Sequence, residues 1–171
     1  MEIIQTNSDK ARLADVRIRI VRDEYAEEPC EFMDLVFKKA EAESSIPPNA
    51  IHKWKFDCNY EHEPIWFFTT KERCERMICS DPNYWVKEKL IAFEKDEKNL
   101  YQQWYDGNVF GYIIESWNAE QREWNHKVSC FNFYGLSELL LYIKDYLAER
   151  KINENDIIIC SDESDICGSI S

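Results

Sequence analysis

Apolar and polar positions alternate most regularly along residues 109–134. Phe110, Tyr112 and Ile114 fall on one face of a strand over 109–117, with Val109, Ile113 and Trp117 on the other. Along 124–134, Trp124, His126, Val128, Cys130, Asn132 and Tyr134 alternate with Asn125, Lys127, Ser129, Phe131 and Phe133. A period of two in β-branched and aromatic residues predicts two strands, and the polar run 118–123 between them predicts a hairpin. Bulky groups on both faces toward its far end call for a sheet covered by helices on at least one side. Gly111 inside the first strand and Gly135 after the second mark a close backbone approach or a turn.

The same rules divide the rest of the chain. Val16, Ile18 and Ile20 alternate with Arg17 and Arg19, which predicts a strand over 16–22. Residues 50–56 and 64–69 predict two more strands, and the apolar run 157–160 a short buried one. A helix enters after Thr70. Asp81 as N-cap and Pro82 at the first helical position open a longer one running to Trp104. Its apolar stripe is Val86, Leu90, Phe93, Leu100 and Trp104, with the charged run 94–98 as its solvent face. Ser137 caps a further helix in which Leu139, Leu140, Ile143 and Leu147 share a face, broadened by Leu141 and Tyr142. Residues 23–34 concentrate six carboxylates around Pro29, as a loop opening a helix through Leu35, Val36 and Phe37 toward Glu43. Ser44, Ser45, Pro47 and Pro48 end it. Residues 1–13 are mixed and predict an irregular start or a short edge strand. Such irregular interleaving predicts an α+β fold: one domain over 1–160, a mainly antiparallel sheet with helices packed on one face, then a flexible acidic tail over 161–171.

Charge narrows the function classes. Asp and Glu total 33 against 21 Lys and Arg, a net charge of -12. That balance disfavours direct binding to nucleic acid or to anionic membrane. With no long apolar run and no leader-like start, the chain is expected in the cytosol. Seven cysteines, an odd number, fit reduced thiols there. Cys58 with His62, Cys74 with Cys79, and His126 with Cys130 are the close pairs, and none has zinc-knuckle spacing, so no metal is expected. Neither a phosphate-cradling glycine loop nor a nucleophile motif occurs, and His52, His62 and His126 are the histidines that could act as bases. These features predict neither an enzyme nor a cofactor.

Three stretches carry a family resemblance. They are the strand followed by the acid-proline-acid-aromatic run 23–34; Pro64-Ile65-Trp66-Phe67-Phe68-Thr69-Thr70-Lys71-Glu72-Arg73; and Tyr105-Asp106-Gly107-Asn108-Val109-Phe110-Gly111-Tyr112 leading to Ser129-Cys130-Phe131-Asn132-Phe133-Tyr134-Gly135. Together they resemble a family of small phage and mobile-element proteins of bacteria that has no established activity. The chain departs from the usual pattern at Cys30, where arginine is expected, at Leu35-Val36, where an asparagine-leucine-glycine turn is typical, and at Asn132, where glycine is usual. The resemblance implies a mobile-element context and transfers no catalytic residue.

In that context the charge suggests an antagonist of a nucleic-acid-handling host defence system, of anti-CRISPR or anti-restriction type, that presents carboxylates in place of phosphates. The partner would be a host nuclease or DNA-binding defence complex. A chain of this length spans roughly 40 Å, over which duplex DNA carries roughly 24 charges. A net of -12 is half as dense, so mimicry needs clustered carboxylates or a homodimer. Asp23, Glu24, Glu27, Glu28, Glu31 and Asp34 form the local cluster, and Asp162, Glu163 and Asp165 could add to it. The alternative is a sponge for a nucleotide signal, with Trp117, Trp124 and Tyr134 lining a pocket and basic groups such as Arg17 or Arg19 close by.

Overall fold

A computed structural model describes residues 15–57, 64–79, 81, 87–152 and 157–161. The irregular start, the Cys58 and His62 pair, Pro82 and Val86 of the long helix, and the tail carboxylates Asp162, Glu163 and Asp165 all fall outside those residues. The chain is α+β. Its contacts gather in two compact units, Met1–Ala26 with Gly107–Ser171, and Glu27–Asp106. The strands are accordingly shared between two sheets, where the sequence suggested one.

The first unit holds a four-stranded sheet in the order β6-β5-β1-β7. Strand β1 (Val16–Arg22) lies antiparallel to β5 (Val109–Asn118), which turns into β6 (Glu123–Tyr134) as the predicted hairpin. Strand β7 (Ile158–Ser161) lies parallel to β1. One face carries Ile18, Ile20, Phe110, Tyr112 and Ile114, packed against Leu139, Ile143 and Leu147 of a helix over Leu136–Glu149. The apolar face read from the 3.6-residue period is therefore the one that is buried, while Leu141 is 61% exposed and Tyr142 lies over Tyr112 and Phe133. That helix begins one residue after Gly135, whose φ of 118° stands at the cap position expected of Ser137. A backbone that must reverse at positive φ selects glycine over a hydroxyl cap.

Gly111 meets its expected close approach. A Cβ built there would lie 2.3 Å from Phe131 Cδ1 and 2.8 Å from the Cys130 carbonyl oxygen. The half-exposed phenyl ring can swing aside, but the carbonyl belongs to the backbone of β6 and cannot move without it. Gly111→Ala is therefore expected to lower stability by about 1–3 kcal/mol, the usual cost of overpacking. A urea titration of the variant beside the parent chain measures it.

The second unit is a three-stranded antiparallel sheet in the order β2-β4-β3, built from β2 (Lys38–Ala40), β3 (Ala50–Phe56) and β4 (Ile65–Thr70). Four α-helices are described, numbered in chain order. α1 (Pro29–Phe32), α2 (Lys71–Met77) and α3 (Lys87–Tyr105) belong to this unit, and α4 is the Leu136–Glu149 helix above. Trp54, Phe56, Ile65 and Phe67 on one sheet face pack with Leu90 and Tyr101 of α3 and with Leu35, Val36 and Phe37. Thr70 caps α2 by accepting from the Arg73 N–H.

Two expectations are corrected in this unit. The helix expected to run from the acidic stretch toward Glu43 stops at Phe32, and residues 38–40 form β2. Three consecutive apolar residues, Leu35, Val36 and Phe37, cannot share one helical face at 100° per residue, yet all three are buried. An irregular segment buries them where a helix cannot. The run 94–98 is likewise not a solvent face throughout, because Glu97 is only 5% exposed. Seven residues after Leu90 and four before Tyr101, it stands on the buried stripe of α3.

Candidate functional site

The acidic run is divided by structure. Asp23 and Glu24 belong to the first unit, and Glu27, Glu28, Glu31 and Asp34 to the second. Asp23 closes β1, its N–H donating to the Val109 carbonyl at 2.8 Å. Its carboxylate accepts from the N–H of Tyr25 at 3.2 Å and of Asn132 at 3.3 Å. Asn132 has a φ of 64°, so Asp23 helps hold a backbone kink in β6 where a glycine would be least strained. Glu28 accepts from Lys39 at 2.7 Å. Glu24, Glu27, Glu31 and Asp34 are exposed. Asp23 and Glu28 thus brace neighbouring segments.

The aromatic candidates separate. Trp117 and Trp124 are register partners across the hairpin, with ring centroids 5.4 Å apart and planes at 63°. Tyr134 is buried at the other end of β6, opposite Val109. Ten residues of strand separate it from Trp124, roughly 33 Å, so the three do not line one pocket. What the sheet does bring to the tryptophan pair is charge. The Arg17 guanidinium sits 4.5 Å from the Trp124 centroid and donates to Glu115 at 2.7 Å, and Arg19 reaches the same carboxylate at 3.6 Å. Arg17 and Arg19 share the Glu115 carboxylate, and Arg17 occupies a face of the Trp124 ring. A ligand anion binding there has to displace a carboxylate.

Sequence reasoning missed a third assembly, in the second unit. Glu97 Oε1 accepts from the Val36 N–H at 2.6 Å, and both carboxylate oxygens lie 3.3 Å from the Phe37 N–H. Arg73 donates to the carbonyls of Val36 at 3.0 Å and Leu35 at 2.6 Å. A buried irregular segment has no ladder to satisfy its backbone, and these two side chains supply donors and acceptors in its place. Burial pushes the Glu97 carboxyl up from 4.5 to about 7, against the pull of the two N–H groups and of Arg73. On the neighbouring turn, Glu94 joins His52 Nε2 at 2.7 Å and Lys98. Burial opposes its charge, but the hydrogen bonds from Lys98 and His52 outweigh it and hold the carboxyl below the ordinary range. The available signal was the spacing of Leu90, Glu97 and Tyr101.

Among the described residues, no three histidine, cysteine, aspartate or glutamate side chains gather as a metal site. No described helix is long and apolar enough to cross a membrane. Compared with protein-family models, with curated proteins and with solved structures, the chain matches none.

Proposed function

We propose that this protein acts by binding, as a phage or mobile-element antagonist of a nucleic-acid-handling defence system in the host cytoplasm. It would present carboxylates where a nuclease or DNA-binding complex expects phosphates. The observation that carries this reading is the exposure of Glu24, Glu27, Glu31 and Asp34 in a chain of net charge -12. A short α1 locked by a buried Pro29 displays Glu31 in its first turn. The Lys39 ion pair of Glu28 fixes the start of that turn.

The test is capture of purified restriction and CRISPR effector complexes by the immobilised protein, with duplex DNA as competitor. Reversing Glu24, Glu27, Glu31 and Asp34 to lysine is expected to weaken capture at least about tenfold, since each like-charge contact costs about a kcal/mol or more in a close interface. The circular dichroism spectrum should stay unchanged, because none of the four is buried. Undiminished capture by the folded variant would remove the acidic run from the interface. A second reading rests on Arg17 standing over the Trp124 ring and sharing the Glu115 carboxylate with Arg19. A nucleotide retained through purification and seen by native mass spectrometry would favour that site over the acidic one.

A further inference from the structure

The sheet of the second unit has two unlike faces. One is the core face, with Trp54 stacked on Phe67 at 4.1 Å. On the other, cross-strand register sets Lys38, Phe68 and Lys53 in one row and Ala40, Trp66 and Lys55 in the next. Strand β4 alternates accordingly, Ile65, Phe67 and Thr69 buried and Trp66, Phe68 and Thr70 half-buried. All three lysines are exposed, and Lys53 Nζ stands 5.5 Å from the Trp66 centroid. At the end of the row a shallow cavity of about 330 Å³ is lined by Lys38, Phe68, Thr70, Glu72, Arg73 and Arg76. In a chain with a large acidic excess, this face sets two aromatic rings inside a border of several cations.

We infer that the outer face of this sheet, Trp66 and Phe68 bordered by Lys38, Lys53, Lys55 and Arg76, is a binding platform for single-stranded nucleic acid. The chemistry matches on both counts. Aromatic side chains two apart on a strand stand about 6.8 Å from each other, which offers separate stacking surfaces to successive unpaired bases. Flanking lysines meet the phosphates, and such platforms tolerate any sequence because every base has a π-face. Duplex is excluded, since its bases are stacked and paired.

Carboxylates at the rim do not close the site. Glu43 meets Lys53 at 2.8 Å and Asp57 meets Lys55 at 3.0 Å, but each of these four side chains is at least half exposed. Solvent-exposed pairs of this kind are held weakly and exchange partners readily. Arg73 spends its guanidinium on the Leu35 and Val36 carbonyls and contributes field rather than contact. Glu72, with its charged form favoured by backbone and Thr70 hydrogen bonds, marks the end of the platform. The platform shares no residue with the acidic run, so the two assignments stand or fall separately. It also limits the expectation that net charge keeps the whole chain off nucleic acid.

The test is fluorescence anisotropy of labelled oligothymidylate and oligouridylate, each about 12 nucleotides long, with the full chain. Affinity is expected to fall about tenfold or more between about 50 and 200 mM salt. Lys38, Lys53 and Lys55 changed together to glutamate should abolish most of the binding and flatten the salt dependence. Trp66→Leu, which keeps an apolar group on the face, should weaken binding about five- to hundredfold through lost stacking. Circular dichroism and melting of each variant confirm that it is folded. The inference is overturned if the parent chain binds neither oligonucleotide. It is also overturned if heparin binds as well and Trp66→Leu changes nothing, or if duplex of equal length competes equally. Binding of mononucleotides as tight as the oligomers would overturn it in favour of a small-ligand site.

Discussion

Glu97→Ala is expected to destabilise the protein by about 2–4 kcal/mol, because it leaves the buried N–H groups of Val36 and Phe37 without an acceptor. The loss should be largest below neutral pH, and the sign follows from the titration. With its carboxyl at about 7 when folded and 4.5 as the ordinary value, the folded protein holds a proton that the unfolded chain has released. That stabilisation is complete below pH 4.5 and is lost as pH rises to about 7, an amount on the order of 3 kcal/mol. The protonated carboxyl still accepts through its carbonyl oxygen, so the contact to Val36 survives on either side. Glu97→Gln keeps an acceptor and cannot ionise. Urea midpoints at about pH 5 and about pH 8 should therefore differ more for the parent chain than for the glutamine variant. Equal pH responses would show that Glu97 does not titrate in this range. Under the proposed function, the effect would extend to binding through the chain itself. Leu35 to Phe37 follow directly on Glu31 and Asp34, so loosening this segment releases the end of the acidic display.

Phe67→Ala is the second large effect, at about 3–5 kcal/mol. Phe67 is fully buried, stacked on Trp54 at 4.1 Å and tilted against Tyr101 at 4.6 Å, so its removal strips two aromatic partners at once. Aromatic pairs add about 0.5–1.5 kcal/mol beyond burial, which places the expected value toward the top of that range. Guanidinium denaturation followed by tryptophan fluorescence reports it directly, since Trp54 loses its stacking neighbour. A loss below about 1 kcal/mol would mean that the site collapses around the gap. The same substitution undermines both sheet faces, because Phe67 is the inward neighbour of Trp66 and Phe68. It separates stability from binding when set beside the outward Trp66→Leu change.

Much of the architecture is local in origin and was legible. Val16 to Arg22, the 50–56 and 64–69 strands and the stripe of Leu139, Ile143 and Leu147 all carry a period that their burial follows, and the 109–134 hairpin was legible from its β-branched and aromatic residues on either side of a polar run. Gly111 announced a close approach through its rarity alone. The candidate sites were far less legible. The six clustered carboxylates look equivalent in a sequence, yet Asp23 braces Asn132 and Glu28 pairs with Lys39 while four others remain exposed. Trp117, Trp124 and Tyr134 look like neighbours by composition, but strand geometry sets Tyr134 at the far end of β6.

By itself, then, the sequence determined six of the seven described strands, the two long helices, the α+β class and the acidic excess, since each depends on residues close together along the chain. Tertiary structure decided the division into two sheets, the burial of Glu97 beneath Leu35 to Phe37, and the gathering of Lys38, Lys53 and Lys55 around Trp66 and Phe68. The reason is physical. Hydrogen-bond register and burial are set between segments far apart in sequence, and they determine whether a charged side chain is solvated, neutralised or left to meet a partner.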